Sequence, residues 1–504
     1  MVAFIKLIPP PPRKPDPPPP APEAELTSAH WALPTARPGN AVPGAAAPFL
    51  SGPVDETQPS SRDVRGVLRR SLSTSSVEGM AAEVVTACCN GAAMTGWALE
   101  MECNAFLFGI LGAIPYLSQF IQLPAAWVST TLGRRRVALT AVCLQRLVLL
   151  PVLFLPFLSA PMSVKQTVLL FSVAISSVLG VTGNNSWVAW MGDLVPRRMR
   201  GRYFAQRAAW CTVAGTSAGL LAGLLMDTAK AHGVATHALL GLGVVGQLAG
   251  LCSIALMARQ HEPAPGGARE SVHWRMALRP LSDSRARAFL TYQVAWNGAV
   301  GLCGSFAAMH MLMNLKMGFA MMSAHATAVA AVRVLSTRVW GRVLDQVGPR
   351  TVLVFCSFGI CLVPLMWLFP TEEMLWPVVL DALLVGTLWS GHGLAAFQLP
   401  LEVAPREGRA FYLASFSTAG GIAYGLASAL GGVIAEALPT SFTVQGVHVF
   451  NIHVLFLLSS SARLGAAFLS VRAIQQEREV MPGLRRCLDA VIKDVGPRLA
   501  WRRT

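Results

Sequence analysis

The chain has 504 residues, of which 53% are hydrophobic and only 13% charged, and its formal net charge is +15. Length alone would admit two or three soluble domains, but so apolar a composition excludes them, and the basic residues are distributed wrongly for a nucleic-acid surface. Ten cysteines, most of them inside apolar runs and without CxxC or Cys/His spacing, give neither a metal site nor a disulfide framework.

Residues 1–64 come first and are a different material. Pro9 to Pro12 and Pro17 to Pro20 punctuate a tract too poor in aromatic residues to build a core, so a disordered cytoplasmic tail is expected. It has no apolar region of the secretory-signal type, which leaves the first membrane helix to act as the insertion signal. From Val77 to Val471 the sequence is a succession of apolar runs of about 20 residues, each long enough to cross a bilayer as a helix. The expected spans are 77–98, 105–131, 137–158, 164–189, 203–226, 237–258, 289–313, 319–340, 351–369, 375–399, 410–438 and 452–471.

The basic residues test this count. With the segment before the first span placed in the cytoplasm, 30 arginines and lysines fall in inside loops and tails; Lys165, Lys230 and Lys316 alone fall outside. Basic loops resist translocation, so the bias supports both the number of spans and cytoplasmic termini. Residues 65–258 then form an N-terminal six-helix half. Residues 259–288 form a polar cytoplasmic linker, 289–472 a C-terminal half, and 473–504 a basic cytoplasmic tail.

An internal repeat relates the halves. Asp193, Pro196, Arg200 and Tyr203 align with Glu402, Pro405, Arg409 and Tyr412 at a constant offset, and the same offset matches Gly223 with Gly432 and Asp227 with Glu436. Earlier in each half, Gly341-Arg-Val-Leu-Asp345-Gln-Val-Gly348-Pro-Arg350 corresponds to Ala126-Trp-Val-Ser-Thr130-Thr-Leu-Gly133-Arg134-Arg135. The fold class is thus an all-α polytopic membrane protein, with twelve transmembrane helices in two homologous six-helix halves.

On these residues, over roughly 65–475, the sequence resembles the major facilitator superfamily. Gly341, Asp345, Gly348 and Arg350 fit its GxxxDxxGxR loop, and the Asp193/Pro196/Arg200-Gly201-Arg-Tyr203 segment looks like the loop after the fourth helix in one bacterial branch. The first-half copy departs from the pattern at Ala126 and Thr130. The resemblance implies the bacterial inner membrane, and a conformational role for Gly341, Asp345 and Arg350. Asp193 is expected to pair with Arg200 or with an arginine of a neighbouring loop, with Pro196 ending the helix, as a two-state latch; Glu402, Pro405 and Arg409 are its counterparts. The resemblance also implies that spans one, four, seven and ten line a cavity. Their polar and aromatic residues include Asn90, Thr95, Asn184, Asn185, Trp187, Tyr292, Gln293, Trp296, Asn297, Trp389, His392 and Gln398. An asparagine in hydrocarbon needs a partner, and each of these also reads as glue between helices.

Charges within spans are costly and face partners or cavities. Glu83 lies about 9 Å along its helix from the cytoplasmic end and is the proton-coupling candidate, the competing reading being a structural pair with Arg146 or Arg333. Asp381 reads as a solvated position near the outside mouth. Six lysines, none in a GxxxxGK[ST] context, and the lack of a nucleophile elbow or HExxH give no enzyme, cofactor or metal. The expected function is secondary active transport of a small solute by alternating access, as symporter or antiporter, with the proton as candidate coupling ion. The alternative is a non-transporting membrane sensor or scaffold of the same fold. The expected partners are the solute, protons and the bilayer, not nucleic acid, with the chain a monomer.

Overall fold

The computed structural model describes residues 61–196, 199–262, 278–405, 409–444 and 447–474, together with Cys487. The proline-rich segment to residue 60, linker residues 263–277 and most of the basic tail lie outside the described residues.

Helix α1 (Ser61–Cys89) starts well before the apolar run and carries the first arginines in its early turns. It continues as α2 (Gly91–Glu100) after a break at Asn90, where Gly91 takes a positive φ of 52°. The side chain of Asn104 accepts the Leu107 N–H at 3.0 Å and caps α3 (Ala105–Leu117). A 3-10 turn at Ser118–Ile121 leads to α4 (Gln122–Leu132), bent by 54°. Pro115 and Pro124 each remove a helical N–H donor at this bend. Gly133, with φ +95°, starts α5 (Arg134–Phe154); α6 (Met162–Leu194), α7 (Arg200–Ala231) and α8 (Ala235–Ala258) follow.

The second series repeats the plan. After α9 (Arg279–Ser282), Asp283 caps α10 (Ser284–Gly304) by accepting the Arg285 N–H; α11 (Phe306–Met309) and a π turn at His310–Asn314 complete this rod. Helix α12 (Gly318–Val347) ends at Gly348, whose φ of +81° turns the chain into α13 (Pro349–Ile360), as Gly133 does in the first series. Then come α14 (Val363–Met366), α15 (Trp376–Val403), α16 (Arg409–Ala437) and α17 (Asn451–Ile474). A small antiparallel hairpin, β1 (Ser441–Val444) and β2 (Val447–Phe450), lies where a loop is expected. Its sequence, two β-branched and aromatic runs either side of Gln445-Gly446, carries the hairpin pattern.

Among the described residues nine helices are long and apolar enough to cross a membrane, and ten if the bent α3–α4 pair is one span. The rods at the expected first and seventh spans, α1–α2 and α10–α11, fall short because each opens on arginines and is broken partway. Large apolar side chains such as Phe171, Leu335 and Phe397 are about 70% exposed, as suits surfaces facing lipid tails.

Helix α1 packs on α7 and α8, and α5 on α6 and α8; in the second series α10 packs on α16 and α17, and α13 on α15 and α17. The two groups meet along α3 against α16 and α7 against α12. One end of the bundle holds the β hairpin and the other the arginine-rich turns; they are called below the hairpin face and the arginine face. A core around Trp97, Phe108, Phe306, Phe319 and Phe456 joins the groups near the hairpin face.

Candidate substrate layer and its gates

The repeated Gly and acid at the ends of α7 and α16 meet the opposite group. Both carboxylate oxygens of Asp227 accept backbone N–H groups at the start of α12, from Phe319 at 2.7 Å and Ala320 at 2.8 Å. These are free donors of a helix N-terminus, where negative charge is favoured. Gly318 adopts φ +80°, and a Cβ there would lie 2.9 Å from Asp227 Oδ2, so glycine is needed for both geometry and space. Glu436 stands in the equivalent place: its Oε1 accepts from Asn104 Nδ2 at 3.2 Å, beside the start of α3. A Cβ on Gly223 would come within 2.7 Å of the Phe319 carbonyl, and one on Gly432 within 2.9 Å of Phe106 Cα. Both glycines therefore permit the close approach of helices.

Deeper between the groups lies a polar layer. Gln122 Nε2 donates to Ser417 Oγ at 3.1 Å, and Thr418 Oγ1 donates to the Gln119 carbonyl at 3.3 Å. Asn185 Nδ2 reaches the Gln122 carbonyl from α6 at 3.4 Å. On the far side of α16, a Cβ at Gly420 would lie 3.0 Å from Asn297 Nδ2 and 3.4 Å from Gln293 Cγ. Seven polar side chains from α3–α4, α6, α10 and α16 thus lie at one depth. Ser417, eight residues into α16, sits about 12 Å from the arginine face at 1.5 Å per residue. Asn185 lies on one side of α16, and Gln293 and Asn297 on the other, all half-buried; Gln119, Gln122, Ser417 and Thr418 join the layer from helices the sequence reading left aside. Among the described residues, every hydrogen bond between the two groups lies in this layer or toward the hairpin face. Among the described residues no ion pair joins the groups.

The remaining expected cavity residues are placed differently. Tyr292, Trp296 and His392 are buried in the core of the second group, the Tyr292 hydroxyl lying 2.9 Å from Ser357 Oγ and 3.0 Å from His392 Nε2. Trp296 stacks on His392, and Trp389 meets it edge-on, so these rings face one another rather than the space between groups. Asn90 is exposed at the helix break and Asn184 is exposed on α6. Trp187 is covered by Arg207, whose Cζ stands 4.3 Å from the ring centroid.

That arginine belongs to an ionic network absent from the expectations. Arg207 Nη2 pairs with Glu78 Oε2 at 3.2 Å, Arg207 Nε donates to the Ser75 carbonyl, and Ser253 Oγ donates to Glu78 Oε1 at 3.0 Å. Gly79 leaves room for the guanidinium, since a Cβ there would lie 2.5 Å from Arg207 Nη2. Glu83 is half-buried one and a half turns along, against Gly215 of α7, with Arg207 as a neighbouring charge. The structural pair of α1 is therefore Glu78–Arg207, and Glu83 forms no ion pair with Arg146 or Arg333. Asp381 corrects its expectation too. It is buried, not solvated, because His325 Nε2 pairs with its Oδ2 at 3.0 Å across α12 and α15.

At the arginine face Asp193 forms an ion pair with Arg134, the first residue of α5. Arg200 instead donates to the Val195 and Gly192 carbonyls and closes the end of α6 over the exposed Pro196. In the second group Asp345 is exposed near the end of α12 and forms no ion pair with a described residue. Gly341 and Arg350 are half-buried, Glu402 and Pro405 are exposed, and Arg409 opens α16 with its side chain outside the described residues.

The sequence matches the family model of the Major Facilitator Superfamily over residues 82–428. No curated protein matches it. Among solved structures it is similar to the nucleoside transporter NupG, with TM-score 0.62 and 12% identity over 80% of this chain and 99% of that one. It is similar also to a bacterial homologue of the iron transporter ferroportin in an inward-facing state, with TM-score 0.63 and 14% identity over 82% of this chain and 99% of that one. A bacterial homologue of the human lysosomal transporter Spinster, inward-facing and unoccupied, gives TM-score 0.53 and 14% identity over 86% and 99%. At these identities the likeness is one of fold. With this helix order and a family match over most of the helical region, the chain belongs to the major facilitator superfamily and is a multi-pass membrane transporter.

Proposed function

We propose that the protein carries a small polar solute across the membrane by alternating access, with residues 65–258 and 289–472 as the two rocking halves. The observation that carries this reading is the one-sided distribution of contacts between the helix groups. Among the described residues, the hydrogen bonds between the groups run from the hairpin face down to the Gln122–Ser417 bond, which supports a polar layer approachable from the arginine face. Amide side chains dominate the layer, so the substrate is a neutral or zwitterionic solute rich in hydrogen-bonding groups. The arginine face, carrying the basic loops, is the cytoplasmic side of a bacterial inner membrane, and both termini lie there. The conformation is then inward-facing. The Asp193–Arg134 pair, formed here within the first half, Pro196 and the matched Asp345 and Glu402 positions make up the cytoplasmic latch, whose contacts are rearranged in the opposite state.

Glu83 is the proposed proton carrier. It lies in the membrane-spanning part of α1 with no ion-pair partner among the described residues, next to a pair, Glu78–Arg207, that already neutralises its own charges. Uptake into proteoliposomes across a panel of polar solutes, with and without an imposed pH gradient, tests both parts. Gradient-stimulated uptake that becomes gradient-independent in Glu83→Gln is expected. Stimulation that survives this substitution removes Glu83 from the coupling, and no uptake of any solute removes the transport reading.

A further inference from the structure

A cavity separate from the polar layer opens at the arginine face between the early turns of α1, the start of α5 and the end of α8. It holds about 470 Å³ and is lined by Val67, Arg70, Ser71, Arg135, Arg259, Gln260, His261 and Glu262 among others. Its size is that of a small-ligand site. Three guanidinium groups from three separate segments line it, against a single carboxylate, and Glu262 Oε1 is engaged by the Arg135 backbone N–H at 3.4 Å. Helix C-termini normally repel anions through their free carbonyls. Here those carbonyls are turned to protein donors: Arg135 Nη2 takes the Ala258 carbonyl, and Trp190 Nε1 takes that of His261 at 3.1 Å. Ser71 Oγ accepts the His261 N–H at 3.1 Å and fixes the wall. What remains toward the cleft is positive charge.

Gln260 supplies the second observation. It is 2% exposed, and both its Nε2 and its Oε1 are buried without a partner; Arg135 Nε is likewise buried and unpartnered. Buried polar atoms of this kind cost free energy unless something bonds to them. With an orphaned amide and an orphaned guanidinium N–H in the wall behind them, Arg70, Arg135 and Arg259 match an anion with several acceptor oxygens.

We infer that this cleft binds a phosphate group, carried by an anionic phospholipid headgroup or by a free phosphate. The site lies where the helices leave the bilayer, at headgroup level, and basic clefts between helices on that side suit anionic lipid. Arginine is the residue type for such a ligand, since its planar fork takes two phosphate oxygens at once.

The test uses the purified full chain in detergent, with thermal stabilisation and native mass spectrometry read against three probes: phosphatidylglycerol, phosphatidylcholine and inorganic phosphate. Saturable binding of one phosphatidylglycerol, with phosphatidylcholine much weaker, is expected. Arg70→Gln/Arg259→Gln should weaken it about thirtyfold, from roughly fivefold for each arginine. Arg279→Gln/Arg338→Gln removes the same charge from exposed positions on the same face and should weaken it less than twofold. Arg70→Lys/Arg259→Lys keeps the charge without the planar fork and should weaken binding less than the glutamine pair, which guards against a loss caused by misfolding. Inorganic phosphate binding with the same dependence on Arg70 and Arg259, and no preference for phosphatidylglycerol, assigns the site to a free phosphate. Equal losses in the two glutamine pairs, or no saturable binding of either anion, overturn the proposal.

Discussion

Replacing Asp227 by asparagine removes a charge from the N-terminus of a helix in the opposite half, and its effect can be worked from the contact. The carboxylate accepts two backbone N–H groups, at 2.7 and 2.8 Å, one on each oxygen. Asparagine keeps a single acceptor and turns its NH₂ toward the second donor, so one charge-assisted bond is lost and the other weakened. A hydrogen bond to a charged group contributes about 1.5–3 kcal/mol net, and the charge–dipole attraction roughly 0.3–1 kcal/mol. With partial compensation by water, the closed hairpin face should lose about 2–3 kcal/mol, a shift of roughly 30- to 150-fold toward the open form. Spin labels on Lys230→Cys and Glu373→Cys, exposed positions on opposite groups at that face, report the separation in a background freed of the ten native cysteines. A single short distance is expected for Asp227, and a substantial longer population for Asp227→Asn. An undiminished short population in the variant refutes the reasoning.

Glu436→Gln should act in the same direction but only about two- to fivefold, because a single exposed 3.2 Å contact loses its charge and keeps a neutral acceptor; the same labels measure it. Gly223→Leu should open the hairpin face more fully than either, since even a Cβ meets the Phe319 carbonyl at 2.7 Å, and the long-distance population should dominate. Glu78→Gln or Arg207→Gln leaves one charge of a largely buried pair without its partner and should cost about 3–5 kcal/mol in thermal melts. The double variant should cost less than the sum of the two. Asp193→Asn breaks a pair whose partners are 37% and 41% exposed, so stability should change by no more than about 1 kcal/mol while turnover in proteoliposomes falls.

The architecture is legible in the sequence because hydrocarbon imposes so few solutions. Runs of apolar residues, arginines confined to alternate turns and a repeat at constant offset suffice to place the helices. Their ends are less legible. The early start of α1 is hidden because its arginines read as a loop, and the breaks at Asn90 and Ser305 depend on local backbone rather than on hydropathy. In the site, Asn185, Gln293 and Asn297 stand out as amides in apolar surroundings. Gln119, Gln122 and Ser417 do not, since they lie on helices not expected to face the solute.

Partnerships across the fold are the hardest to read. Asp227 and Glu436 are visible as a repeat, yet their partners, the N–H groups of Phe319 and Ala320 and the amide of Asn104, lie in the other half and have no sequence signature. Glu78 and Arg207 sit at span ends, where charge reads as topology. Asp381 looks solvated until His325, from a different helix, is seen against it.

Accessibility of the polar layer from each side of the membrane tests alternating access most directly. A cysteine at the layer, Gln122→Cys in the cysteine-free chain, is exposed to a membrane-impermeant thiol reagent in sealed vesicles of either orientation. The layer should react from the arginine face alone, and adding Asp227→Asn should make it reactive from the hairpin face with reduced reactivity from the arginine face. Reaction from both faces at once in the parent, or from the arginine face alone in both chains, would contradict a two-state carrier gated by Asp227.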